Sequence, residues 1–92
     1  MAETEDQKIE ISDRTALSRY EIRVDGDLAG LADYRLGEDE ITFTHTETRP
    51  EFGGQGLASK LVEFAVTDAR SRNLEIIPVC PFVKDWIAEN PG

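Results

Sequence analysis

Gly53-Gly54-Gln55-Gly56 stands directly before a stretch with helical periodicity. The N–H groups in the first turn of a helix have no partners inside it, and the helix dipole adds partial positive charge there. Glycines let a phosphate reach that backbone closely. The four residues therefore predict an anion site suited to a pyrophosphate. Leu57 and Ala58 begin the helix, and Ser59 and Lys60 add a hydroxyl and a charge in its first turn. A flexible loop that merely starts a helix has the same composition, so the position of the loop must decide. It follows a strand of an antiparallel meander. A dinucleotide fingerprint needs an acidic residue at the end of the next strand, and neither Asn73 nor Cys80 supplies one. Three titratable side chains lie on the flanking elements. His45 is the only histidine, and imidazole titrates near neutrality. Glu47 stands two residues on. Cys80 is either a small core residue or a thiol available for chemistry. Its neighbours Val79, Pro81 and Phe82 are apolar, which predicts a raised thiol pKa.

The elements that must position these residues are legible from period and punctuation. Lys8 to Ile11 reads as a short edge strand, and Asp13 to Leu17 as a loop. Arg19 to Val24 alternates, with Tyr20, Ile22 and Val24 on one face and Arg19, Glu21 and Arg23 on the other. Asp25-Gly26-Asp27 is a hairpin signal. Leu28 to Leu36 returns, with Leu28, Gly30, Ala32, Tyr34 and Leu36 sharing a face on which the small residues leave room for close packing. After Gly37-Glu38-Asp39, Glu40 to Thr48 forms a third strand. Strict alternation places Ile41, Phe43, His45 and Glu47 on one face, and Thr42, Thr44, Thr46 and Thr48 on the other. Gly56 to Arg72 is the long helix, with Leu57, Leu61, Phe64 and Ala65 as its stripe and Asn73 to end it. Glu75 to Cys80 is a short apolar run, hence a buried strand. Pro78 inside it predicts an edge position or a splay from its neighbour. Pro81 to Asn90 closes as a short helix on Phe82, Val83, Trp86 and Ile87.

Ninety-two residues suit one domain, with residues 1–7 a polar, acidic tail of the wrong chemistry for a secretion signal. No apolar run approaches the roughly 20 residues of a membrane span. A lone cysteine forms no internal disulfide, which fits a reducing cytoplasm. The net charge of −9 disfavours nucleic acid and anionic membranes as partners. It would attract a cationic amine, and equally it serves solubility. No metal site is expected. A monomer or weak dimer is expected, with an exposed threonine face free to pair.

The succession of strand, Gly53-Gly54-Gln55-Gly56-Leu57-Ala58, helix and splayed strand resembles the acyl-CoA site of the GNAT N-acetyltransferase superfamily, whose motif is Arg/Gln-x-x-Gly-x-Gly/Ala. Gly56 and Ala58 match its last two fixed positions, and Gly53 departs from the first. His45-Thr46-Glu47, the glycine loop and Cys80-Pro81-Phe82 together are similar to a very short single-domain branch that lacks the two helices after the first strand. The resemblance covers about Arg19 to Pro91. It implies a minimal α/β (α+β) GNAT-like fold: an antiparallel meander, a parallel splayed last strand, one long helix and a short C-terminal helix. It implies acetyl-CoA as cosubstrate, held by Gly53, Gly54, Gln55, Gly56, Leu57, Ala58 and Ser59 with Thr46 and Thr48. It implies N-acetyl transfer to a small amine or a lysine side chain. His45 or Glu47 would be the base, and Cys80 would stand in for the tyrosine acid that typical relatives carry on the last helix. Cys80 as an acyl nucleophile and a non-catalytic CoA-sensing module are the alternatives that Gly53 and the missing tyrosine leave open. An acidic interaction protein that kept only the fold is a third.

Overall fold

The alternation of Tyr20, Ile22 and Val24 with arginines calls for a sheet with one covered face, and one long helix is available to cover it. The computed structural model describes residues 7–92, so the expected tail falls, for residues 1–6, outside the described residues. The elements are β1 (Ile9–Arg14), β2 (Arg19–Val24), β3 (Asp27–Leu36), β4 (Glu40–Thr48), α1 (Leu57–Ser71), β5 (Glu75–Pro78) and α2 (Pro81–Glu89). The strands form one sheet in the order β1-β2-β3-β4-β5. The first four are antiparallel neighbours, and β5 lies parallel to β4. This is the expected mixed α/β architecture. Asp25 and Gly26 both take positive φ, as a two-residue hairpin turn between right-twisted strands requires.

The core lies between α1 and one sheet face. Tyr20, Ile22, Ala32, Ile41 and Phe43 pack there against Leu61, Val62, Ala65, Val66 and Ala69, with Cys80 and Val83 closing the α2 end. Phe64, expected in the stripe, sits at its margin and is 41% exposed. Asp13 and Arg14 belong to β1 rather than to a loop, because they pair with Tyr20 and Arg19. β5 is half-buried rather than buried, since it is an edge strand in a sheet with only one covered face.

Two irregularities overturn strict alternation. Between β3 and β4, Asp33 pairs with His45 but Tyr34 pairs with Phe43, so Thr44 is an extra residue. Such a bulge reverses the side-chain sense of everything beyond it. Ile41 and Phe43 therefore share the helix-covered face with Thr46 and Thr48, whereas His45 and Glu47 point to the open face with Thr42. The expected grouping of His45 and Glu47 with Phe43, and the continuous threonine ladder, both end at Thr44. The second irregularity, at Ala29, buries that residue and turns Leu28 toward Arg23, out of the row of Gly30, Ala32 and Tyr34. What packs closely on Gly30 is β4 itself: a Cβ there would stand 2.8 Å from the Glu47 carbonyl oxygen.

On the open face Glu21 is only 1% exposed. Arg14 reaches it at 3.2 Å, Arg19 at 2.6 Å and Arg23 at 3.0 Å. Burial alone would raise its pKa, but the hydrogen bonds and charges of Arg19 and Arg23 outweigh burial and hold the carboxylate below its usual range. On the covered face the Tyr20 hydroxyl donates to Asp68 at 2.6 Å and the Tyr34 hydroxyl to Asp13 at 2.7 Å. Arg72 approaches both carboxylates. Burial, then the hydrogen bond to Asp13, pushes Tyr34 up to about 12, and burial with Asp68 pushes Tyr20 higher still.

Both phenols favour the neutral form in the folded state more than in the unfolded state, where tyrosine titrates near 10. Their contribution to stability is complete below about pH 10 and is lost as pH rises through the folded values. Urea midpoints measured from pH 9 to 12 are expected to fall steeply for the wild type. The fall is expected to be shallower for Tyr20→Phe, which starts about 1 kcal/mol less stable at neutral pH through loss of one buried hydrogen bond. Parallel curves would remove the phenols as the cause.

Candidate active site around the glycine loop

β4 leaves the sheet as Arg49 and passes through a short 3-10 turn, Pro50–Phe52, into the glycine loop. Gly53 has ordinary extended backbone, φ −66° and ψ 153°. Gly54 and Gly56 take φ of 79° and 72°, the left-handed region that favours glycine. Gly56 is the N-cap of α1, and no side chain caps that helix end. Nothing lies within 4 Å of where a Cβ on Gly54 or Gly56 would stand. The space over the helix start is thus open, and its first-turn N–H groups have no side-chain cap. A groove of about 190 Å³ runs along it. Gly53, Gly54, Gly56 and the first turn Leu57, Ala58 and Ser59 form one wall, with Thr48 from β4 and Phe82 from α2 opposite. Gln55 is exposed and is not part of the lining. A larger depression of about 440 Å³ lies on the outer side of α1, between Glu63 and Ser71, and includes no residue of the loop.

The groove meets a break in the sheet. β5 pairs with β4 only from Glu40–Glu75 to Phe43–Pro78. Val79 N–H and Cys80 N–H then both donate to the Phe43 carbonyl, at 3.1 and 2.9 Å. Pro78 ends the ladder, as expected of a proline in a strand. From Thr44 to Thr48, β4 has β3 on one side and no strand on the other.

Cys80 lies at this break, 5% exposed, as the N-cap of α2. Its Sγ is 3.5 Å from Thr46 Oγ1. Burial pushes its pKa up, as the apolar neighbours suggested. The Thr46 hydrogen bond and the backbone N–H groups of Val83, Phe82 and Thr46 outweigh burial, and the thiol ends below its ordinary value. The expectation of a raised pKa is corrected by the helix start, whose N–H groups the flanking residue types do not reveal. His45 and Glu47 stand on the opposite face of β4, both well exposed, with Nε2 3.3 Å from Oε1. The structure thus brings together Cys80 with Thr46, and His45 with Glu47, and separates the two pairs by the thickness of one strand. Sequence reasoning missed the helix-face alignment of Thr46 with Cys80. Only the bulge creates it, and no residue type at Thr44 announces a bulge.

The profile described as GCN5-related N-acetyl-transferase matches residues 19–92. The chain belongs to this family. This is the superfamily that the glycine loop and the splayed strand led one to expect. A search of curated proteins finds no match. Among solved structures, a GCN5-like protein from Staphylococcus aureus superposes with TM-score 0.63 at 30% identity, covering 89% of this chain and 78% of its own. Ribosomal-protein-alanine N-acetyltransferase from Brucella melitensis biovar Abortus 2308 gives TM-score 0.64 at 19% identity, over 80% of this chain and 60% of that one. N-acetylglutamate synthase from Neisseria gonorrhoeae, complexed with coenzyme A and N-acetyl-glutamate, gives TM-score 0.62 at 19% identity, over 95% of this chain and 22% of that one. The last two likenesses show the fold, and this chain spans only part of those proteins. Among the described residues no helix is long and apolar enough to cross a membrane, and no cluster of three or more His, Cys, Asp or Glu could hold a metal ion.

The loop glycines differ in what they tolerate. Gly53→Ala keeps an allowed backbone, and its Cβ would meet only the Pro50 carbonyl oxygen at 3.3 Å. Gly56→Ala must hold a left-handed φ, at a cost of about 1 kcal/mol. Thermal melts of the two variants are expected to leave the Gly53 protein near wild type and to lower the Gly56 protein by several degrees. Equal melting temperatures would contradict the left-handed helix start.

Proposed function

We propose that the chain is an acetyl-CoA-dependent N-acetyltransferase that acts on a small primary amine or a lysine side chain. The observation that carries this reading is the junction of an uncapped, glycine-opened helix start with an unpaired stretch of β4. A pantetheine arm carries amides and can hydrogen-bond to an open strand edge as an added strand would. A pyrophosphate suits the N–H groups at Gly54 to Ala58, and Thr48, Ser59 and Phe82 line the way between. Bound acetyl-CoA supplies a thioester, an acyl group already activated for transfer. The chain's own residues would then do two things. Cys80, beside the open edge, protonates the departing thiolate. His45 and Glu47, across β4, take the proton that the amine must lose to expose its lone pair. The net charge of −9 favours the approach of cationic amines to the protein as a whole.

A second reading is a CoA-binding or sensing module without catalysis. Two features favour it: Gly53 offers no side chain to the phosphates, and α2 carries no tyrosine. Saturating acetyl-CoA is expected to raise the melting temperature, since a ligand at a hundredfold excess over Kd stabilises the folded state by about 2.7 kcal/mol. Gly56→Val is expected to abolish that rise. Gly53→Arg, which the backbone there accommodates, is expected to enlarge it. An unchanged melting temperature in the wild type would sink both readings. Acetylation of an amine and peptide panel separates them. His45→Ala or Glu47→Ala is expected to lower turnover by about 100-fold for whichever residue is the base, with acetyl-CoA binding retained. Tight binding with no acetylated product would leave the sensor.

A further inference from the structure

Cys80 is fixed by its backbone before its side chain does anything. Its N–H donates to Phe43 O at 2.9 Å, and its carbonyl accepts from Lys84 N–H at 3.0 Å. The side-chain polar partner of the sulfur is the Thr46 hydroxyl at 3.5 Å. Thr46 is there because of the extra residue at Thr44. In a strand of the same length without that bulge, alternation from Phe43 would put Thr46 on the open face and His45 on the covered one. The charged side chains nearest in sequence are all exposed: His45 and Glu47 on β4, Lys84 and Asp85 on α2, and Lys60 in the first turn of α1. The groups that bear on the sulfur are therefore a hydroxyl and backbone N–H groups.

We propose that Thr46 is a positioning residue, whose hydroxyl donates to Cys80 Sγ and holds that sulfur able to give up and regain a proton at the open edge of β4. The inference rests on the acetyl-transfer reading for its purpose. In the transfer, the bond from the acetyl carbon to the CoA sulfur breaks as the bond to the amine nitrogen forms. The departing sulfur takes the electron pair and accepts the proton of Cys80. Cys80 is left as a thiolate, with Thr46 O–H donating to it. The proton released by the amine to His45 and Glu47, returned through solvent, restores the thiol. Thr46 thus acts through Cys80 and touches neither the acetyl group nor the amine.

The test is an ultraviolet titration of thiolate absorbance on the full chain without acetyl-CoA, taken as the difference from Cys80→Ala. One cysteine makes the signal unambiguous, and no reagent need reach the buried sulfur. Thr46→Val keeps the shape and loses the hydroxyl; Thr46→Ser keeps the hydroxyl and loses the methyl. Thr46→Ala is a second variant without the hydroxyl. The wild type and the Ser variant are expected to share an inflection below that of an ordinary thiol. The Val and Ala variants are expected to titrate at higher pH, with the thiolate fraction at neutral pH reduced about threefold to tenfold, as loss of one hydrogen bond implies. A Val variant that titrates like the wild type would overturn the assignment, as would a Ser variant that behaves like Ala. Thermal shifts of the same proteins with acetyl-CoA keep the two ideas apart. A wild type with no shift removes acetyl transfer but leaves the titration standing, whereas unchanged titration removes the role of Thr46 alone.

Discussion

The Phe43 carbonyl oxygen accepts two N–H groups from the chain end of β5, and the geometry of the site follows from that one acceptor. Because Val79 and Cys80 both turn to it, β5 stops tracking β4 at Phe43. The remaining length of β4 is left with an unpaired edge. A free edge inside a sheet is ordinarily a hazard. Here it is confined between the start of α2 and the start of α1, two helix N-termini that both present N–H groups to the same gap. The core on the covered face is what makes this affordable. Phe43, at the point of divergence, is itself buried in the core cluster that holds Tyr20, Leu61 and Val83.

The single covered face has its own requirement. A sheet of five strands with helices on one side leaves a row of polar side chains on the other, and among the described residues no helix lies over them. Three guanidinium groups cover Glu21 in place of a helix. Removing any one arginine leaves two, while removing the carboxylate leaves three like charges together. The pair of tyrosine–aspartate hydrogen bonds on the other face ties β1 and α1 to the middle strands in the same manner. The small fold is thus held at its periphery by charge-assisted bonds, where apolar area runs out.

Most of the architecture was legible in the sequence because each element announces itself by period. Tyr20, Ile22 and Val24 alternate with arginines, the helical stripe from Leu57 to Ala69 repeats every third or fourth residue, and Pro78 marks the end of pairing. The glycine loop was legible for a different reason: only glycine is at ease at the backbone angles of residues 54 and 56. What could not be read was the set of faces beyond Thr44 and before Gly30. A bulge inserts one residue without requiring any particular residue type, so period-two counting runs through it undisturbed and assigns everything past it to the wrong side. The proton affinity of Cys80 was hidden likewise. Val79, Pro81 and Phe82 describe an apolar neighbourhood, yet the thiol answers to backbone N–H groups that exist only because a helix begins at Pro81.

The extra residue in β4 also fixes what kinds of sequence change this chain can absorb. Thr44 makes only a long contact to the Asp33 carbonyl, at 3.4 Å, and its side chain matters little. As a unit of length it has no ladder partner of its own on β3, so the pairs on either side do not depend on it. A substitution there leaves the count intact, and deletion of Thr44 alone would make Tyr34–Phe43 and Asp33–His45 successive ladder pairs, with Thr46 and His45 on the sides they now hold. The bulge at Thr44 is therefore a place where drift in residue identity, and the loss of one unit of length, both leave the flanking pairs as they are. In a lineage of such chains, a one-residue difference in length at this point would leave Thr46 facing the helices and His45 facing away from them.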